Sequence, residues 1–324
     1  MRARSLSAGR IVCAPAPEGA ARNNRPMMRR RLIIAAAASP LATSVAASVR
    51  ARGGGPAARD GPLRVGADRA LIDSGLAGSL RRGFSADTGI TVKLVAGPAL
   101  AILEAVQNGE IDAAIANAPA AEADLERQGL VHDRRAIAQG EFVLVGPAPR
   151  ARGRPVAASQ SGVDLLASIR DVAAGGSTPL VFLSAGDGSG AHVAELTLWR
   201  AARIAPAAPW YATAEPGRSF IAQVRSRSAY ALVERGAWAA LGGEPLNVMV
   251  HGDPALVERV HAMRSFRVAH PAGKIFIAWI AGGRGRAVVT GHRGYRALQP
   301  GSACRRCCIS TSPAPRRWPS TAGG

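Results

Sequence analysis

The chain has 324 residues, 48% of them hydrophobic, which is enough for one large or two medium domains with a proper core and excludes a disordered chain. Its formal net charge is +19, but residues 1–62 and 301–324 together carry +13 of this, and only Lys93 and Lys274 are lysines. Because the charge is mostly terminal and almost entirely arginine, it does not indicate a nucleic-acid-binding surface.

The N-terminal part of the sequence has the pattern of an export signal. Residues 28–47 contain arginines, then a short apolar run, then small residues that suit cleavage near Ala47. The apolar run is too short to span a bilayer comfortably, so we expect a periplasmic mature protein with no membrane insertion. Residues 1–47 are interpreted as an upstream extension plus this signal, and residues 48–62 as a linker. The general and twin-arginine export routes both stay open.

The C-terminal residues 301–324 are rich in serine, proline and arginine and show no hydrophobic period, so we expect a disordered tail. Cys304, Cys307 and Cys308 lie in it with metal-like spacing but without a second ligand pair. Residues 63–300 contain no cysteine, so their stability needs no disulfide. We predict no bound metal cation and no cofactor.

From residue 63 onward, strand-like and helix-like patterns alternate, which predicts an α/β fold. A Pro/Arg/Gly-rich stretch at 147–155 indicates a boundary or crossover. The predicted strands are 63–66, 90–95, 113–116, 141–146, 179–183 and 230–233. The predicted helices are 73–84, 99–108, 121–128, 163–173, 193–202, 219–226 and 274–290.

The residues at 182–192 predict a strand, a tight loop and a helix start. Glycines allow a sharp turn and expose backbone N–H groups, and such a helix start attracts small anions. Serine and aspartate side chains in the loop can cap the helix or contact the ligand. A capped glycine-rich turn without any ligand explains the pattern equally well. The residues concerned are Ser184, Gly186, Asp187, Gly188, Ser189 and Gly190.

Catalytic and metal-binding interpretations of the same region have little support. Ser189 does not lie in a Gly-x-Ser-x-Gly turn, because residue 187 is aspartate. His192 and Glu195 lie on adjacent helical turns but lack a third ligand, which favours a capping or surface role. We therefore predict that the protein is not an enzyme. We also predict that Trp199, Trp210, Trp238 and Trp279 pack in the core or between the lobes.

The middle of the chain, most of residues 63–300, resembles the periplasmic tungstate-binding proteins of ABC transporters, a branch of the two-lobed type II substrate-binding superfamily. The order and spacing of the matching segments carry the resemblance. These segments are Leu63-Arg-Val, Asp73-Ser-Gly75, Asp112-Ala-Ala, Ala118-Pro-Ala-Ala-Glu122, Phe142-Val-Leu-Val-Gly-Pro147, Gly186-Asp187, Ser189-Gly190, His192, Glu195-Leu-Thr-Leu-Trp199, Trp210-Tyr211, Ala229-Tyr230, Arg235-Gly236, Trp238 and Gly252-Asp-Pro254.

The resemblance implies two doubly wound α/β lobes joined by two crossovers, with an anion in the cleft. We expect residues 63–146 and 250–300 to form lobe 1, and residues 147–249 to form lobe 2. It also implies delivery of a small tungstate- or molybdate-like oxyanion to an ABC transporter permease by a monomeric protein. A sensor or interaction protein, or a decayed binding protein that no longer binds tungstate, is the alternative.

The sequence departs from the family where the oxyanion is bound. The family's Thr/Ser run after the first strand is replaced by Ala67-Asp68-Arg69-Ala70, and Ala185 stands where the family has arginine. Arg69 and Arg218 could replace the missing charge, with Arg69 facing the cleft, or Arg69 could pair with Asp68 or Asp73 and leave the cleft empty. The predicted ligand contacts are Ala67, Asp68, Arg69, Ser184, Gly186, Asp187, Ser189, Gly190 and Arg218.

Overall fold

The structure is a computed structural model that describes residues 61–147, 158–175 and 181–298. The predicted export signal, most of the linker and the predicted C-terminal tail lie outside these residues. Within the described ranges, no helix is both long enough and apolar enough to cross a membrane.

A group of strands near the start of the chain forms one part of the main sheet. Three parallel strands, β1 (Leu63–Asp68), β2 (Val92–Gly97) and β3 (Ala113–Ala116), lie in the order β3-β1-β2. All four residues of β3 are buried, as expected for a parallel strand covered on both faces. The antiparallel strand β9 (Val257–Ser265) pairs with β3 on the other side.

The long strand β4 (Val131–Gly146) connects this group to a second one. Its residues 131–141 pair with β9, and its residues 142–146 pair with β7 (Ala231–Glu234) and β8 (Asn247–Val250). One strand therefore takes part in both groups and is one crossover between them. The remaining strands are β5 (Phe182–Ser184), β6 (Tyr211–Thr213) and β10 (Arg296–Ala297).

Helices alternate with these strands and cover the sheet faces. Three of them begin at a serine whose hydroxyl accepts a backbone N–H of the first turn, which stabilises the helix start. The helices are α1 (Arg69–Asp73), α2 (Leu76–Thr88), α3 (Ala99–Asn108), α4 (Pro119–Arg127), α5 (Gly162–Ala174), α6 (Gly190–Ala202), α7 (Phe220–Ser226), α8 (Arg235–Leu241), α9 (Pro271–Ala281) and α10 (Gly283–Thr290). A 3-10 turn lies at Pro254–Leu256.

The core consists of packed aromatic and aliphatic clusters between helices and sheet. In the first strand group, the ring of Phe84 packs edge-on against Phe276 at 5.2 Å between ring centroids. In the second, Phe182 packs against Trp199 at 5.1 Å. Trp199 and Trp238 are buried, and Trp210 and Trp279 pack against the clusters, so the prediction that these four tryptophans are packing residues is confirmed.

The α/β alternation predicted from the sequence is confirmed, and several element boundaries were wrong. β4 begins ten residues before the predicted strand, and β9 was not predicted at all. β9 carries Glu258 and His261 as buried residues, and buried polar side chains hide the hydrophobic pattern of a strand. The last predicted helix is two helices, because the Gly282-Gly283 pair ends α9 before α10 begins.

Candidate functional site

The glycine-rich loop between β5 and α6 has the predicted shape. Gly186 has φ +64°, and a Cβ at this position would overlap the side chain of Thr213, so only glycine fits here. The carboxylate of Asp187 accepts the backbone N–H of Ser189 at 2.9 Å. The hydroxyl of Ser189 then accepts the N–H of His192 at 3.3 Å and caps α6, which begins at Gly190 rather than at 193.

The two potential metal ligands of α6 take part in local hydrogen bonds. Nδ1 of His192 accepts the backbone N–H of Gly188 at 3.0 Å, and burial lowers the pKa of this histidine. Oε1 of Glu195 accepts the indole N–H of Trp199 at 3.1 Å and the hydroxyl of Tyr211 at 2.7 Å. Burial raises the pKa of Glu195 and brings that of Tyr211 to about 12. These contacts fix the first turns of α6 against β6.

The carboxylate of Asp68 lies at the carboxyl end of β1, where the loops of parallel strands form ligand sites. Its side chain is fully buried and accepts the backbone N–H of Ala70 at 2.9 Å and that of Gly190 at 3.3 Å. Burial raises the pKa of Asp68 to about 6, and the negative charge of Asp187 adds to this rise. The two hydrogen bonds, and the N–H of Ala99 at the start of α3, oppose it by stabilising the charged form.

A second buried cluster lies beside Asp68. The amide of Asn117, which follows β3, donates to Oε1 of Glu258 at 2.8 Å and to Oε1 of Glu234 at 3.5 Å. Burial raises the pKa of Glu258 to about 8 and that of Glu234 well above its ordinary value, and the charge of Asp68 adds to both shifts. Glu234 ends β7 and Glu258 lies in β9, so this cluster also connects the two strand groups.

The structure brings only part of the predicted ligand set together. Asp68 and Gly190 are in direct contact, Ala67 precedes Asp68 in β1, and Asp187 and Ser189 lie in the loop before Gly190. Ser184 is buried at the end of β5, and Gly186 opens the loop. The predicted set therefore centres on the contact between β1 and α6.

Neither of the two arginines of the predicted set forms an ion pair with Asp68. Arg69 is exposed and belongs to α1 rather than to a loop. Its positive charge acts on Asp73, the last residue of α1: burial raises the pKa of Asp73, and the charge of Arg69 opposes this rise. Of the two pairings predicted as an alternative for Arg69, the one with Asp68 is not formed, and Asp68 hydrogen-bonds to backbone N–H groups instead. Arg218 is 67% exposed and binds Glu215 at 2.9 Å.

Three functional candidates were missed by the sequence reasoning: Asn117, Glu234 and Glu258. Each lies at or near a strand end, and a polar residue directly after the all-apolar strand β3 was the available signal for Asn117. Glu234 and Glu258 lie 117 and 141 residues away from Asn117 along the chain, so only the tertiary structure shows their contact.

This arrangement has the chemistry of anion recognition. Backbone N–H groups from the starts of two helices point at one negatively charged group in a site from which water is largely excluded. Among the described residues, no group of three or more His, Cys, Asp or Glu side chains has the geometry to hold a metal ion. The donors at this place are neutral backbone N–H groups, and the group that they hold is the carboxylate of Asp68.

Comparison with known proteins identifies a family and two related proteins. Residues 55–280 match the family described as the PBP superfamily domain. The tungstate-binding protein TupA of Peptoclostridium acidaminophilum is 26% identical over 237 residues, which cover 71% of this chain and 80% of that protein. A Haloferax volcanii protein described as a candidate ABC transporter anion-binding protein is 30% identical over 191 residues. The match covers 58% of this chain and 54% of that relative, so the chain spans about half of its length.

Among solved structures, the tungstate ABC transporter from Geobacter sulfurreducens has the same fold, with a TM-score of 0.60 and 25% identity. The superposition covers 71% of this chain and 97% of that one. The match to the family extends over well more than half of the chain and includes every strand except β10. The chain therefore belongs to the PBP superfamily and has the type II periplasmic-binding-protein fold, with tungstate-binding proteins among its relatives.

Proposed function

We propose that this protein is the exported solute-binding component of an ABC importer and that it binds a small tungstate- or molybdate-like oxyanion. The ligand would lie at the carboxyl end of β1, against the start of α6. The protein would carry it through the periplasm to the transporter permease. Residues 63–146 with 250–300, and residues 147–249, would form the two lobes on either side. Two related proteins with tungstate in their names support this assignment.

One observation carries the proposal: backbone N–H groups of Ala70 and Gly190, from the first turns of α1 and α6, converge on a single carboxylate. Oxyanions are held by the same kind of donor, because N–H groups at helix starts carry partial positive charge. The two donors come from segments 120 residues apart, so folding alone assembles them. This geometry supports binding rather than catalysis.

A second candidate function is favoured by the identity of the group that these donors hold. Asp68 belongs to the protein itself, and the acidic side chains of Glu234 and Glu258 lie close to it. A sensor, an interaction protein or a decayed binding protein would keep this scaffold without binding tungstate. The two candidates differ in whether an external anion reaches the N–H groups.

Isothermal titration calorimetry of the full chain separates the two candidates. The ligands are tungstate, molybdate, sulfate and phosphate up to millimolar concentration, with sodium chloride at matched ionic strength as the control. The proposal predicts saturable binding of at least one oxyanion and a higher melting temperature, because such a ligand binds only the folded state. No binding and an unchanged melting temperature with all four anions would reject it in favour of the second candidate.

A further inference from the structure

The contacts of Asp68 exceed those of an ordinary helix cap. Its Oδ1 accepts the N–H of Ala70 and caps α1, which is a local interaction. Its Oδ2 accepts the N–H of Gly190, the first residue of α6, from 122 residues further along the chain. A Cβ at Gly190 would overlap the amide of Asn117, so this helix start packs against β3 without a gap.

Nearby contacts hold α6 and its loop against the first strand group. The backbone N–H of Leu100, in the first turn of α3, donates to the carbonyl of Gly188 at 3.0 Å. The N–H of Ala99 in the same turn stabilises the charged form of Asp68. Three helix starts, those of α1, α3 and α6, therefore surround one carboxylate. An external anion at the same place would need these same donors.

The other titratable groups around Asp68 are acidic. Asp187 in the loop, Glu234 at the end of β7, Glu258 in β9 and Tyr295 near β10 all interact electrostatically with it. Their negative forms repel both the Asp68 carboxylate and an incoming oxyanion.

We propose that the Asp68 side chain is a built-in competitor for the ligand: it takes the backbone N–H donors of Ala70 and Gly190 that a bound oxyanion needs. An external anion binds only when this carboxylate is displaced or neutral. Asp68 thereby lowers the affinity for divalent oxyanions. This inference rests on the proposed function, since it concerns the same site.

Asp68→Ser tests the inference because it removes the competing charge and returns a hydroxyl to this position. Asp68→Asn is the second variant, which keeps the shape of the side chain if the serine variant folds poorly. The control is Asp253→Ser. Asp253 also caps a helical turn, through the N–H of Ala255 at 2.9 Å, and accepts a distant N–H, that of Gly162 at 2.8 Å, outside the candidate site.

Calorimetry with tungstate and with sulfate at pH 7.5 provides the readout on wild-type and variant full chains. We expect Asp68→Ser to bind about tenfold or more tightly than wild type, because charge-assisted donors become available, and Asp253→Ser to bind as wild type does. Tight wild-type binding that neither Asp68 variant improves would overturn the inference while leaving the proposed function intact. Absence of binding in wild type and in both Asp68 variants would overturn both.

A second measurement compares the sulfate affinity at two pH values. Because the pKa of Asp68 is about 6, its carboxylate is largely charged at pH 7 and largely neutral at pH 5. Competition by the charged form then predicts that sulfate, which keeps both charges in this interval, binds about tenfold more tightly at pH 5. Asp68→Ser should show a smaller change, which separates Asp68 from Asp187, Glu234, Glu258 and Tyr295. Equal affinity at the two pH values in wild type would contradict the inference.

Discussion

Replacing Glu258 by glutamine should make the protein's stability less dependent on pH. The Glu258 side chain is fully buried in β9, and its Oε1 accepts the amide N–H of Asn117 at 2.8 Å. Burial raises the pKa of Glu258 from 4.5 to about 8, the hydrogen bond from Asn117 opposes this, and the charge of Asp68 adds to it. A glutamine accepts the same N–H and carries no charge at any of these pH values.

The sign of the effect follows from proton binding. Between pH 4.5 and about 8, the folded state holds a proton on Glu258 that the unfolded state has released. The stabilisation is therefore complete below pH 4.5 and is lost as the pH rises through 8. Each pH unit reduces the free energy of unfolding by about 1.4 kcal/mol, so the whole interval amounts to a loss on the order of 5 kcal/mol.

Urea denaturation of wild type and Glu258→Gln at pH 5, 6, 7 and 8 measures this difference. We expect the variant to gain stability relative to wild type steadily as the pH rises. Glu110→Gln, at an exposed position, is the matched control and should keep the wild-type pH slope. Identical slopes for wild type and Glu258→Gln would refute the reasoning, because they would show that Glu258 is not held protonated by burial.

Two further substitutions test packing and charge burial. In thermal melts, Gly190→Ala should destabilise the fold by about 1–3 kcal/mol, because its methyl group overlaps the buried amide of Asn117. The control Gly78→Ala lies inside α2 without such overlap and should instead stabilise the fold by about 0.5–1 kcal/mol. Glu122→Gln should cost about 3 kcal/mol in urea denaturation, because Glu122 is fully buried and ion-paired with Arg134 at 3.1 Å. Glu126→Gln removes the more exposed partner of the same arginine and should cost less than about 1 kcal/mol; equal costs would contradict the burial argument.

The sequence predicted the elements that depend on local patterns. The loop from Ser184 to Gly190 was identified because glycine and capping residues act over a few neighbouring positions. The strands β1 and β3 were found for the same reason, since nearly continuous burial produces an apolar run. The predicted bounds of β3 were correct, whereas those of β1 and β2 were off by two residues and the division between α1 and α2 was missed.

The candidate site was only partly predictable because its central contacts are long-range. Asp68 was identified as a departure from the family pattern, but its bond to Gly190 exists only in the folded chain. Arg69 was predicted either to supply the charge of the site or to pair with Asp68 or Asp73, and the structure places it on the surface of α1. Glu234 and Glu258 were missed, because buried carboxylates depend on tertiary surroundings that local sequence does not encode.

Backbone amide NMR during an oxyanion titration tests the central claim most directly, namely that the N–H groups of Ala70 and Gly190 hold the ligand. Molybdate is added to ¹⁵N-labelled wild type and Asp68→Ser, with the amide of Gly78 as an internal control. We predict that the Ala70 and Gly190 resonances shift with the saturation curve found by calorimetry, at lower molybdate concentration in the variant, while Gly78 stays unchanged. Saturable binding that leaves the resonances of Ala70 and Gly190 unmoved would contradict the account.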